Sequence, residues 1–321
     1  MKRRFFYIFM ICFLIFSTAT LQAEEAEQPK GDYPKWFDFN VPLAVLKQAY
    51  KYDVESQKGE FPLDFVQLLA YSAAKNWGEF KSQKPCKHMD DVVKRIRGGE
   101  YLHDIAADIK MYPFYLRTYG AVLGNLVGSY QRDGEVHYGL KAFFPIAKNF
   151  GYSHSDDFGN PRSYGYKRVH LGHDMFGSTG TPIIAVEDGI VEATGWNQYG
   201  GWRVGIRSLD NKRYYYYAHL KKDTPYAQGI EKGAFVQAGD VVGYLGNTGY
   251  STKENVANIK APHLHFGLQI IFDESQKDGY NQIWIDAYNI VKFLSQNKAE
   301  VIKGEGGHYT RTSSPYNPIE D

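Results

Sequence analysis

The chain is poor in cysteine: only Cys12 and Cys86 occur in 321 residues. Cys12 lies inside an apolar N-terminal run, and if that run is removed only Cys86 is left, which excludes a disulfide within the mature chain. Cys86 reads as a small buried hydrophobe rather than a nucleophile. An excess of charge of one sign is also missing, with 37 Lys and Arg against 36 Asp and Glu. There is no basic footprint for nucleic acid, so no nucleic-acid partner is expected. What is present is apolar and aromatic material, 43% and 16% of residues. That is enough for substantial cores, and the length favours two domains over one.

The N-terminus, "MKRRFFYIFMICFLIFSTATLQA", places Lys2, Arg3 and Arg4 before an apolar run from Phe5 to Phe16, followed by small and polar residues. This order reads as a secretory signal over residues 1–23, processed after Ala23. "FMIC" lacks the small residues expected before a lipid-modified cysteine. The apolar stretch through Leu21 also approaches the roughly 17 residues needed to span a bilayer, so an uncleaved membrane anchor is the alternative. Both readings place the body of the protein outside the cytoplasm, secreted or at the cell wall.

The rest of the chain has two textures. Residues 24–134 read as a helical domain, with apolar residues three and four apart (Val41, Val45, Ala49; Phe65, Leu68, Leu69; Met89, Val92, Val93, Ile96) and stops at Gly98, Gly99 and Pro113. The helical pattern runs to Gln131. It carries no chemical motif, and its single histidines His88 and His103 are unassigned; it is expected to position or restrain the β-rich half of the chain. Residues 135–300 turn to short β-rich runs with glycine turns, "TPIIAVEDGIVEATGW", "RYYYYAHL", "PHLHFGLQII", which indicate an all-β sandwich or barrel closed by a helix in "WIDAYNIVKFLSQNK". Residues 301–321, rich in Gly, Ser and Pro, read as a flexible tail, and His308 within it is unassigned. The fold class is therefore α+β with two domains.

The chemistry concentrates in the β region. In "KAPHLHFGLQI", His263 and His265 are two apart on a strand and face one side. "RVHLGHDMFG" sets His170 and Asp174 four apart, again on one side of an extended segment. His173, next to Asp174, faces away. A catalytic zinc takes three protein ligands and leaves one position open. His170, Asp174 and one histidine of "HLH" supply three, which leaves His219 of "YYYYAHL" free for acid–base work. His219 shares a strand face with Tyr217 and Tyr215, and Tyr217 is a candidate for lining a substrate groove.

The ordered set "HLGHD", "AHL" and "HLH" resembles the lysostaphin-type, or LytM-like, zinc endopeptidases that cut peptidoglycan peptides. The likeness spans Phe144 to Ala287 and includes the Gly-rich "VQAGDVVGYLGNTG" and the "DDFGNPR" entry segment. The resemblance implies a barrel-sandwich, duplicated-hybrid-like domain. It implies a Zn2+ cofactor held by His170, Asp174 and His265, with His263 and His219 as the catalytic pair, the base being either of them. The implied partner is a peptidoglycan stem peptide. The layout is similar to that of sporulation-associated L-alanyl-D-glutamate peptidases, with cross-link endopeptidases and metal-free binding or activator relatives as alternatives. "YSTKENVANIKA" before "PHLHF" is longer than the family pattern and is expected to wall the substrate groove.

Overall fold

Residues 33–80, 83–164, 167–312 and 317–318 are described in a computed structural model. The segment read as a signal or anchor lies outside them, and no helix among the described residues is long and apolar enough to cross a membrane.

The apolar periodicity produces five helices, α1 (Leu43–Ser56), α2 (Phe65–Asn76), α3 (Lys87–Arg97), α4 (Leu102–Ala106) and α5 (Tyr112–Leu123). Asp64 caps α2 by accepting from the Gln67 amide at 2.7 Å. Cys86, at the start of α3, is a buried free thiol. α5 stops at Leu123, short of the helical pattern read to Gln131. Asp133 and Gly134, at φ +52° and +82°, make a two-residue hairpin turn that folds β1 (Val127–Arg132) onto β2 (Glu135–Leu140). Asp-Gly is a strong hairpin signal because both residues tolerate positive φ. The boundary expected at 134/135 therefore falls inside this turn.

The β region contains β3 (Tyr152–His154), β4 (Pro161–Arg162), β5 (Arg168–Val169), β6 (His173–Gly177), β7 (Pro182–Ile184), β8 (Gly189–Asn197), β9 (Gly201–Ser208), β10 (Arg213–Ala218), β11 (Phe235–Val236), β12 (Val241–Tyr244), β13 (His263–Ile270) and β14 (Ile283–Ile285). An antiparallel sheet runs β11-β8-β9-β10-β13-β6-β3. β13 is its pivot: one edge pairs with β10, and the other pairs first with β6 and then with β14. β7 pairs separately with β12.

The closing helix is present as α6 (Tyr288–Leu294). Phe293 on α6 stacks on Phe65 of α2 at 5.5 Å and meets Tyr50 of α1 edge-on at 5.5 Å. From Pro34 onward the chain forms one compact unit, and helices and sheet contribute to a shared hydrophobic cluster.

The expected flexible tail is corrected by β15 (Val301–Lys303) and β16 (Tyr309–Arg311), which form a hairpin, and by β17 (Asn317–Pro318), which pairs with β1. The anchors are specific: Arg311 bonds the Ala238 carbonyl and lies 3.4 Å from Asp240, and the Tyr309 amide donates to Tyr244 Oη at 3.1 Å. The Gly- and Ser-rich composition concealed these two side chains.

Candidate functional site

Pairing of β13 with β6 sets His265 directly opposite Asp174. Directly opposite residues of an antiparallel pair carry their side chains on the same face of the sheet. His170, in the extended run leading into β6, reaches the same point. His170 Nε2 is 3.0 Å from Asp174 Oδ1 and 2.9 Å from His265 Nδ1, and His265 Nδ1 is 3.1 Å from the same Asp174 oxygen. Two nitrogens this close, sharing one carboxylate oxygen, cannot satisfy all three contacts with protons. The donors behave as ligands to a common centre, and His170, Asp174 and His265 can hold a metal ion. Tetrahedral ligands bound at about 2.0–2.1 Å lie roughly 3.3 Å apart, close to this triangle.

Gly172 makes the convergence possible. A Cβ at this position would stand 2.4 Å from His265 Cε1 and 2.5 Å from Nε2. Any side chain here would push the imidazole away.

Behind the triangle, His170 Nδ1 is 3.0 Å from the Asp157 carbonyl and 3.1 Å from Asp157 Oδ2. Both oxygens only accept, so a proton is held on Nδ1 and Nε2 is the nitrogen turned to the cluster, the arrangement that orients a ligating imidazole. Arg162 bridges Asp157 Oδ2 at 3.0 Å and Asp174 Oδ2 at 3.1 Å, which leaves Asp174 Oδ1 for the cluster. Burial alone would raise the Asp174 pKa, but hydrogen bonds from His170 and His265 and the surrounding imidazoles hold it well below the carboxylate range. Burial lowers His170, but Asp157 and Asp174 outweigh it and lift the group to about 9. For His265 burial prevails over Asp174, and its pKa falls. His173 is fully buried on the other face, 2.7 Å from His154, as its parity on the strand requires.

Two further imidazoles flank the triangle. His263 Nδ1 donates to the Ala261 carbonyl at 2.8 Å, and its Nε2 lies 3.7 Å from Asp174 Oδ1. His219 Nδ1 donates to the Thr248 carbonyl at 2.9 Å, with its ring 4.8 Å from that of His263. In each a proton is fixed on Nδ1 by an oxygen that can only accept, so Nε2 is the nitrogen turned toward the cluster. Burial first, then the neighbouring His263 and His265, hold the His219 pKa well below that of a free imidazole.

Tyr217 does not line a groove: it is fully buried, and its hydroxyl accepts from the Val186 amide at 3.1 Å. The strand ends at Ala218, and His219 has φ +61°, so the alternation that joined His219 to Tyr217 and Tyr215 breaks. Tyr216 takes the place instead, its ring 5.8 Å from that of His265. A groove of about 230 Å³ opens over the cluster, and Tyr250, at the head of the long connection, lines it. Asn255 tethers that connection by accepting from Trp202 Nε1 at 2.9 Å.

All five expected polar residues thus meet at one place. Asp157, Arg162, Gly172 and Tyr216 join them. "DDFGNPR" contained the first two without indicating their contacts, and the Gly in "HLGHD" gave no sign that it faced His265.

Two imidazoles and a carboxylate converging on one point, flanked by two further imidazoles at the mouth of an antiparallel sheet, define a metallopeptidase-type centre. Residues 168–279 match Peptidase family M23, and this part of the chain is a domain of that family. Over 162 residues the chain is 35% identical to the L-Ala–D-Glu endopeptidase of Bacillus subtilis, covering 50% of this chain and 48% of that protein. Over 99 residues it is 37% identical to lysostaphin of Staphylococcus simulans, covering 30% of this chain and 17% of that protein. The matches span about half or less of these relatives. The crystal structure of a LytM protein from Ruminococcus gnavus superposes with a TM-score of 0.54 at 20% identity, over 86% of this chain and 96% of that one, a likeness of fold.

Proposed function

We propose that this protein is an exported, zinc-dependent peptidoglycan endopeptidase that hydrolyses a stem-peptide amide, the bond between L-alanine and D-glutamate. In this reading His170, Asp174 and His265 hold zinc, and His219 and His263 are the catalytic residues. The observation that carries it is the donor triangle with edges of 2.9–3.1 Å, which protons cannot reconcile. A zinc ion held there supplies a Lewis acid for the scissile carbonyl and lowers the pKa of a water molecule to about 7.

The chain's own residues do the rest. Arg162 fixes the Asp174 carboxylate, and Asp157 fixes the tautomer of His170. The Nε2 atoms of His219 and His263 are placed to accept the proton of the attacking water and return it to the leaving amine. The bond is chosen on the 35% identity to the B. subtilis L-Ala–D-Glu endopeptidase. Export rests on the signal-like N-terminus.

The deciding experiment digests purified peptidoglycan and reads the fragments by mass spectrometry. A new amino terminus on D-glutamate, with cross-links intact, supports the reading. Dimeric fragments collapsing to monomers with whole stems would replace it with a cross-link endopeptidase.

A further inference from the structure

The groove over the donor triangle contains two guanidinium groups, and they differ in one respect. Arg162 is committed to Asp157 and Asp174. Arg168, also lining the groove, forms no ion pair with a carboxylate among the described residues; its hydrogen bond goes from Nη1 to the Tyr164 carbonyl at 2.7 Å. An arginine carries five N–H donors, so most of its fork remains unused.

The guanidinium is also held in place. Its Cζ lies 5.0 Å from the centre of the Tyr199 ring and 5.7 Å from that of Tyr250. Tyr164 stacks on Tyr250 at 4.6 Å and 18° and meets Tyr199 edge-on at 6.2 Å. Two tyrosine rings, braced by a third, thus hold one cation that reaches no anion among the described residues.

The position relates to the chemistry. Arg168 stands directly opposite Arg162 in the β4–β5 pair, and both line the groove together with His170. The Tyr250 ring that contacts Arg168 also packs edge-on against His219 at 5.8 Å. A single aromatic ring separates the guanidinium from His219.

We infer that Arg168 is a specificity-determining residue that binds a substrate carboxylate on the leaving-amine side of the scissile bond. The inference rests on the L-Ala–D-Glu reading above. A D-glutamate linked onward through its side-chain carboxyl keeps its α-carboxylate free, two bonds from the scissile nitrogen. An arginine fork matches that group in a bidentate pair. A glycine bridge offers no such anion.

The test compares two synthetic peptides, L-Ala-γ-D-Glu-L-Lys with the α-carboxyl free and the same peptide with it amidated. The readout is the ratio of kcat/KM for acid over amide, in the full chain, in Arg168→Gln and in Arg168→Lys. A bidentate charged hydrogen bond predicts an acid preference of about tenfold or more in the unaltered protein. Arg168→Gln should bring the ratio near one, and Arg168→Lys should leave it between the two. A role confined to supporting the tyrosine wall would slow both peptides and leave the ratio alone. Equal rates in the unaltered protein, or a ratio that survives Arg168→Gln, would overturn the inference and leave the bond assignment standing. A parallel peptidoglycan digest cut at another bond would overturn both.

Discussion

Arg213, fully buried at the start of β10, donates from Nη1 to the main-chain carbonyl of Ala121 in α5 at 2.7 Å. The same guanidinium meets Glu187 Oε1 at 2.5 Å and Asp210 Oδ2 at 2.8 Å. A buried cation in the catalytic sheet thus has one of its partners in the helical region. Without that carbonyl a buried N–H would lose its acceptor, at about 1–3 kcal/mol. A chain shortened to begin at Glu135 also uncovers Phe293, which Phe65 and Tyr50 shield. It should unfold at a clearly lower temperature than one beginning at Glu24. Equal midpoints in thermal unfolding would show the helices to be dispensable for stability.

Gly172→Ala should disturb the donor triangle while sparing the fold. The added methyl would sit 2.4 Å from His265 Cε1, against a ring held in the sheet. Zinc content measured after dialysis should fall well below stoichiometric, with an unchanged far-UV circular dichroism spectrum. Full zinc occupancy would mean that the ring has room to move.

Ligands and acid–base residues should separate on substitution. His170→Ala, Asp174→Ala or His265→Ala should lose zinc and activity together. His219→Ala and His263→Ala should retain zinc, with kcat reduced by about 10²–10⁴-fold. Zinc analysis beside turnover decides it: a His263→Ala protein without zinc, paired with a zinc-loaded His265→Ala protein, would reverse the assignment within "HLH".

Asp53 gives a pH test remote from the site. Its buried carboxylate accepts from Gln57 Nε2 at 2.6 Å, Tyr138 Oη at 2.8 Å and the Phe65 amide at 3.0 Å, joining α1 to α2 and β2. Asp53→Ala should cost about 3 kcal/mol by stranding these donors. Burial raises the folded pKa of Asp53 above its ordinary value despite those bonds. The folded state therefore holds the proton to higher pH than the unfolded state, and stability falls as pH rises from about 4 through the folded pKa. Asp53→Asn, which cannot ionise, should gain on the unaltered protein over that interval. Denaturant titrations at pH 4 and pH 7 measure the difference, and a constant gap would refute it.

His263 with His265, and His170 with Asp174, were legible because spacings of two and four in short segments translate into one face; His219 was found from its place in the ordered motifs instead. Tyr217 failed for a local reason: one residue at φ +61° reverses the parity that the spacing assumed. The Asp133–Gly134 turn was visible as a dipeptide, yet the preceding run of Leu, Val and Tyr satisfied helical periodicity equally well. Asp157 and Arg162 lie within a recognisable motif, but their contacts with His170 and Asp174 depend on how a loop folds back, which spacing does not encode. The hairpin after residue 300 is held by Arg311 and Tyr309 against distant strands. A local reading sees only its glycines.

The stacking of Phe293 on Phe65 has a kinetic consequence. These rings come from near opposite ends of the described chain, so the core between α1, α2 and α6 closes only when segments separated by the whole sheet in sequence meet. Loop-closure entropy must be met before such contacts stabilise anything, and high contact order slows folding. The N-terminal helices emerge first yet lack their last apolar partner until synthesis is nearly finished. Under the export proposed above, a chain threaded outward N-terminus first could not complete this core until the segment around Phe293 had crossed as well, which would delay catalytic competence until then.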